Sequence, residues 1–196
     1  MAATTAAGTP IGPGPRHRPL KVTAMPGRPW IPAWVGLGSN LDEPAGQIRA
    51  ALDALGELPA SRLVSHSPTM TTPPMGPVAQ PDYLNAVAGL LTQLEPLELL
   101  DELLAIERRQ GRDRSTGLRW GPRRIDLDLL VYGNETLATD RLTVPHPGIA
   151  HRNFVLLPLL ELAPDLWIPG LGRVRQLSAL LDRTTRPDGQ SPIHRD

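Results

Sequence analysis

The sequence predicts an α+β fold: a ferredoxin-like antiparallel sheet with helices packed on one face, plus helical additions at the C-terminus. Three observations carry this reading. Short apolar runs that alternate with period two interchange with longer runs of period 3.6. Prolines and glycines stand at the junctions between them. The runs follow the order strand, helix, strand, strand, helix, strand, that of a split βαβ unit.

Each element has its own local signal. Ala33-Trp34-Val35-Gly36-Leu37-Gly38 is a short apolar run that ends at Ser39-Asn40 and predicts the first strand. Pro44 sits where a first helical turn tolerates it, and Ile48, Ala51, Leu52 and Leu55 recur at helical spacing until Gly56. Residues 63–70 predict a second strand, followed by a Pro/Gly-rich loop over 71–81. Residues 83–94 alternate as a third strand. Pro96 then opens a helix with Leu97, Leu100, Leu104 and Ile106 on its buried face, closed by Gly111. An arginine-rich loop leads into a fourth strand, with Gly133-Asn134 as the turn behind it. Residues 154–162 are helical in pattern despite Pro158, and 174–181 predict a short terminal helix. No internal repeat is visible.

Composition bounds the answer. The 196 residues suit one domain, expected over 31–182. Residues 1–30 are rich in Ala, Thr, Gly and Pro, lack the apolar segment of a signal peptide, and are expected as a disordered extension, with Met25 a candidate alternative start. Residues 183–196 are polar and expected to fray. Twenty basic residues balance twenty acidic ones, which argues against a nucleic-acid partner. No apolar run reaches the roughly 18 residues of a membrane span. The absence of cysteine removes disulfides, thiolate metal sites and cysteine nucleophiles together, and points to the cytoplasm.

The most informative segment is Arg119-Trp120-Gly121-Pro122-Arg123-Arg124-Ile125-Asp126-Leu127-Asp128-Leu129-Leu130-Val131-Tyr132-Gly133. On a strand, Ile125, Leu127, Leu129 and Val131 would face a core while Asp126 and Asp128 project together from the other side, roughly 7 Å apart. Two carboxylates so placed suit magnesium, which takes one or two of them plus water and substrate phosphate. An ordinary half-solvated strand has the same alternation. The surroundings favour the metal. Arg108, Arg109, Arg112, Arg114, Arg119, Arg123 and Arg124 crowd one stretch, whereas Lys21 is the sole lysine. Arginine offers a planar fork for bidentate phosphate contacts. GC-rich coding would favour arginine too.

Four smaller patterns accompany it. Pro145-His146-Pro147, followed by Arg152, sets a histidine on a rigid turn. Gly36-x-Gly38-Ser39-Asn40 after a strand is either a phosphate cradle or a plain tight βα turn. The prolines of Thr72-Pro73-Pro74-Met75-Gly76-Pro77 make a stiff wall. Tyr83 and Asn85, two apart on one strand, place an aromatic platform beside an amide, a grip for a flat heterocycle.

Taken in order over residues 33 to about 170, these segments resemble the 6-hydroxymethyl-7,8-dihydropterin pyrophosphokinases of folate biosynthesis. The resemblance rests on Gly36 to Leu41, on Thr72 to Pro77 with Gln80 to Asn85, on Arg119 to Asp128, and on Val144 to Pro147 with Arg152 to Phe154. It implies a ferredoxin-like fold and transfer of the β,γ-pyrophosphoryl group of ATP to the pterin hydroxymethyl, with AMP released. Asp126 and Asp128 would hold two magnesium ions, and Arg112 and Arg123 would act as catalytic arginines closing over the phosphates. His146, Arg152, Arg141, Thr143, Leu104 and Leu129 would contact ATP, and Trp120 would stand near both substrates. Thr72, Pro73, Pro74, Met75 and Asn85 would read the pterin edge while Tyr83 and Phe154 stack on its two faces. Departures from the family pattern fall at Ser115, Thr116 and Gly117, in a slightly longer 111–120 loop, and at Leu104, where a glutamine is usual. ATP and a dihydropterin alcohol are the expected partners of a monomer.

Phosphoryl-type transfer asks for positioning and charge neutralisation rather than a protein nucleophile, which the residues satisfy without the resemblance. Two other readings compete. A nucleotidyltransferase would carry its Asp pair roughly a dozen residues after a Gly-Ser turn, and Asp126 lies far downstream of Ser39. A non-catalytic polyanion- or RNA-binding module would leave the Tyr83/Asn85 and proline motifs without a role.

Overall fold

The computed structural model describes residues 24–75, 79–112 and 121–185, with side chains through residue 179. Strand β1 (Ile31–Ser39) leads to helix α1 (Pro44–Gly56), then β2 (Ser61–His66), β3 (Met70–Thr72), β4 (Tyr83–Thr92), helix α2 (Pro96–Arg109) and β5 (Asp126–Tyr132). The main sheet runs β2-β4-β1-β5, every pairing antiparallel, so the expected split βαβ order is present. The expected second strand is two strands. Both β2 and β3 lie along the same edge of β4, and the break between them is closed where Ser67 N–H donates to Val87 O at 2.9 Å and Val87 N–H donates to Ser67 Oγ at 3.0 Å. Two small hairpins follow, β6 (Leu137–Ala138) with β7 (Thr143–Val144) and β8 (Trp167–Ile168) with β9 (Gly172–Arg173), along with helices α3 (Asn153–Leu162) and α4 (Val174–Thr185).

The helices cover both faces of the sheet rather than one. Ala33, Val35 and Leu37 of β1 with Ala86, Ala88 and Leu90 of β4 pack against Ile48, Ala51 and Leu55 of α1 and Leu99, Leu103 and Ile106 of α2. Side chains alternate along a strand, so Trp34, Val87 and Leu130 project from the opposite face, where Val155, Leu156 and Leu159 of α3 and Val174 and Leu177 of α4 cover them. Apolar pattern marks a residue as buried without saying against which layer.

A bulge corrects the expected facing of β5. Ile125, Leu127 and Leu129 face the α1/α2 core, but Val131 lies with Leu130 in the second core and Tyr132 returns to the first. Trp34 pairs with Val131 and the next residue, Val35, with Leu129, leaving Leu130 as the extra residue. One inserted residue reverses the alternation beyond it.

Order also begins before residue 31. The buried Gln93 side chain accepts the Met25 N–H at 2.7 Å and donates to the carbonyls of Met25 and Arg28, while Arg28 pairs with Glu98 at 2.6 Å. At the other end, α4 continues to Thr185, past the expected start of the frayed tail. No helix among the described residues is long and apolar enough to cross a membrane.

Candidate active site

The second face of the sheet is only half covered. Helices α3 and α4 occupy one half, and beside them lies a cleft of about 290 Å³ lined by Gly36, Gly38, Thr72, Tyr83, Asn85, Arg123, Asp126, Asp128, His146, Arg152 and Phe154, among others. Its floor is β1. Gly36 and Gly38 are strand residues, as the apolar run from Ala33 predicts, rather than the turn or phosphate cradle their spacing also offers, and they leave the floor free of side chains. A Cβ on Gly38 would stand 3.2 Å from Asn85 Oδ1.

One wall carries the acids. Asp126 and Asp128 both face the cleft, as their spacing predicts, but their surroundings differ. Asp126 is held by Arg112 through one oxygen and by Arg123 through the other. Arg112 also pairs with Glu107, whose side chain is 1 % exposed and takes the Leu127 N–H at 2.8 Å. Asp128 is 41 % exposed, with Arg152 at 3.7 Å. Partial burial and the neighbouring Asp126 push its carboxyl up to about 6. Two carboxylates converging on an arginine-lined cleft fit magnesium, which needs few protein ligands when phosphate completes its shell.

His146 is carried to this wall by a main-chain bond from its N–H to Leu130 O at 2.8 Å, on the outer edge of β5, after a cis Val144–Pro145 bond. Gly148 N–H donates to His146 Nδ1 at 3.0 Å, so Nδ1 is an acceptor and Nε2 carries the proton. Burial and Arg152 lower its pKa, keeping the ring neutral. Gly148 also makes room, since a Cβ there would come within 2.6 Å of Arg152 Nε and 3.0 Å of His146 Cε1. Arg152 in turn lies 5.8 Å above the Phe154 ring.

The opposite wall is polar and aromatic. Asn85, 5 % exposed, donates to Thr72 Oγ1 at 2.9 Å. Tyr83 donates its hydroxyl to Gly121 O at 2.9 Å, and burial raises its pKa. Pro73 and Met75 complete this side of the lining.

Of the residues expected to contact metal, ATP or pterin, eleven meet in the cleft: Thr72, Pro73, Met75, Tyr83, Asn85, Arg123, Asp126, Asp128, His146, Arg152 and Phe154. Arg112 reaches it through Asp126. Pro74 is not in the lining. The Leu129 side chain sits in the α1/α2 core at 2 % exposure, leaving only edge-strand main chain for a ligand. Arg141 lies outside the cleft, paired with Asp101 of α2, the helix that also bears Leu104, and Thr143 is exposed on β7. Trp120 and the loop residues Ser115, Thr116 and Gly117 lie outside the described residues, as do Gly76 and Pro77 of the proline wall. Sequence reasoning missed Glu107. Its signal was a lone acid four residues beyond Leu103 on the apolar stripe of α2.

Comparison with known proteins identifies the family. The family model described as 7,8-dihydro-6-hydroxymethylpterin-pyrophosphokinase matches residues 34–164. A Haemophilus influenzae protein named 2-amino-4-hydroxy-6-hydroxymethyldihydropteridine pyrophosphokinase is 48% identical over 147 residues, covering 75% of this chain and 91% of its own length. A Pseudomonas aeruginosa protein of the same name is 55% identical over 136 residues, 69% of this chain and 83% of its own. Among solved structures, wild-type Plasmodium falciparum HPPK-DHPS superposes with a TM-score of 0.61 at 15% identity over 82% of this chain, a likeness of fold. The match spans 46% of that longer chain, about half its length. The chain belongs to the 7,8-dihydro-6-hydroxymethylpterin-pyrophosphokinase family.

Proposed function

We propose that this protein transfers pyrophosphate from ATP to 6-hydroxymethyl-7,8-dihydropterin, yielding the pterin diphosphate and AMP in folate biosynthesis. The observation that carries the proposal is one cleft joining an acid-and-arginine wall to an aromatic-and-amide wall. The first suits a polyphosphate and the second a flat heterocycle with hydrogen-bonding edges.

Asp126 and Asp128 would hold magnesium, two ions in this reading, which would supply neutralisation of phosphate charge and alignment of the transfer. Arg123, Arg152 and the neutral Nε2–H of His146 bind phosphate oxygens from the same wall. Arg112, anchored on buried Glu107 and paired with Asp126, would add its guanidinium to the same wall. Thr72 and Asn85 read the pterin edge, and Tyr83 and Phe154 stack on its faces. The nucleotide extends past the outer edge of β5 toward Arg141, Thr143 and Leu104. The attacking hydroxyl belongs to the pterin, so no protein nucleophile is required. His146 serves as a donor here, not as a base.

AMP release from ATP and magnesium, followed with and without the pterin alcohol, tests the assignment. Pterin-independent AMP, or none at all, overturns it. We place the enzyme in the cytoplasm as a monomer. Sedimentation at micromolar concentration checks the latter, and a dimer mass would refute it.

A further inference from the structure

We infer that Asn40 is a positioning residue that locks the pterin wall to the arginine wall, so that Arg123 and Tyr83 are placed by one side chain. This rests on the pyrophosphokinase reading of the cleft. Asn40 follows β1 and is 3 % exposed. Its Nδ2 donates to Pro81 O and to Gln80 Oε1, both at 3.0 Å, on the segment that enters β4 two residues before Tyr83. Its Oδ1 accepts the Arg123 N–H at 2.7 Å, and its own N–H donates to Arg123 O at 3.0 Å. Four hydrogen bonds thus leave one residue for two segments that also meet where the Tyr83 hydroxyl donates to Gly121 O.

The amide is the group that fits. Its oxygen serves a main-chain donor on one side while its two protons serve two oxygens on the other, which neither Asp nor Ser supplies. The turn behind it is held in an unfavourable form, with Asp42 at φ 50 and Glu43 at φ 63 in succession, and Asp42 pairs with Arg124 next to Arg123. Asn40 touches no reacting group. Its effect passes through the main chain of Arg123 and through the Pro81 segment.

Two substitutions separate its two sides. Asn40→Asp keeps the acceptor for Arg123 but sets an oxygen against Pro81 O, releasing only the pterin wall. Asn40→Ala removes the side-chain bonds to both walls and leaves only the main-chain bond from residue 40 N–H to Arg123 O. Hydrogen exchange of the amides and steady-state kinetics are measured on each full-length variant. In Asn40→Ala, exchange accelerates in both 79–84 and 121–125, and kcat falls by about 100-fold, the scale of a 1 Å misplacement. In Asn40→Asp only 79–84 loosens, and the pterin KM rises about tenfold, the scale of one or two lost hydrogen bonds, with ATP KM unchanged. Wild-type kcat and pterin KM in Asn40→Ala, or unchanged exchange at 121–125, overturn the inference. Should alanine prevent folding, the aspartate variant decides, because loosening of both segments or of neither refutes the division. A wild-type protein that makes no pterin-dependent AMP strikes the catalytic reading alone, since the exchange pattern is read without turnover.

Discussion

The two aspartates two residues apart are not equivalent, and the difference is visible in what each touches. Asp126 is the counter-charge of Arg112 and Arg123, whereas Asp128 is pushed up to about 6 by burial and by Asp126 itself. Both should be indispensable for turnover, yet they should part in stability. Asp126→Ala leaves two arginines short of a partner and should lower Tm, while Asp128→Asn removes a repelled charge and should leave the ligand-free Tm equal to wild type or higher. The pH dependence has a definite sign. A carboxyl whose folded pKa lies above its unfolded value contributes stability that is complete below about pH 4 and lost as pH rises through about 6. The difference between wild type and Asp128→Asn should therefore grow from pH 4 to 6, by on the order of 1 kcal/mol after screening of a partly exposed group. Denaturant titrations across that range check it, and a flat difference would refute the coupling. For the arginines, alanine at 112 or 123 should lower the rate by about 10³ to 10⁵ while ground-state ATP binding changes less. Loss of ATP affinity with an unchanged saturated rate would make them binding residues only. Alanine at Tyr83 or Phe154 should each weaken pterin binding roughly 5- to 150-fold, about 1 to 3 kcal/mol per stack, with ATP affinity nearly untouched. Calorimetry with each ligand separately decides.

At the scale of elements, the site depends on how α2 meets β5. Glu95 and Glu98 cap α2 reciprocally, with Glu95 N–H donating to Glu98 Oε2 at 2.8 Å, so the helix starts at a defined residue and its far end arrives with Glu107 facing β5. Glu107 then joins Arg112 to the Leu127 N–H, linking helix, loop and strand in one buried set of bonds. Glu107→Ala removes one member of a buried ion pair and should cost about 3 to 5 kcal/mol. It should also lower kcat, because Arg112 loses its anchor. Glu107→Gln keeps an acceptor for Leu127 and should recover most of the stability but less of the rate. Equal recovery of both would show that the charge serves the fold alone.

Across the whole molecule, the sheet separates two cores and leaves the cleft where the second is incomplete. The segment before β1 ties this assembly at its other end. Gln93, 6 % exposed, bonds the main chain of Met25 and Arg28, and Arg28 pairs with Glu98 at the start of α2. Gln93→Ala should cost about 1 to 3 kcal/mol by leaving these groups unpaired. Because the contact lies far from the cleft lining, kcat should stay near wild type. A variant with unchanged Tm would show that residues 25–28 contribute nothing to stability.

The succession of strands and helices was legible in the residues, because period two, period 3.6 and proline at helix starts are local properties. So was most of the cleft. Asp126 with Asp128 and Tyr83 with Asn85 are i, i+2 pairs, whose common face follows from the strand alone. What the residues left open needed partners distant in sequence. Gly36 and Gly38 fit both the end of a strand and a tight turn, and only their pairing with β4 and β5 makes them a floor. Val131 obeys its alternation until Leu130 is squeezed out opposite Trp34. Leu129 goes to the core as its alternation predicts, which withdraws its side chain from the nucleotide, while Glu107, to which the sequence assigned no role, reaches the site, because burial is decided by the layer that arrives on each face. Asn40 holds residues 80, 81 and 123. Local sequence determined which elements form and which side chains share a face. Tertiary structure alone decided which faces meet and which half of the sheet stays open, since those depend on contacts between segments that the chain brings together only on folding.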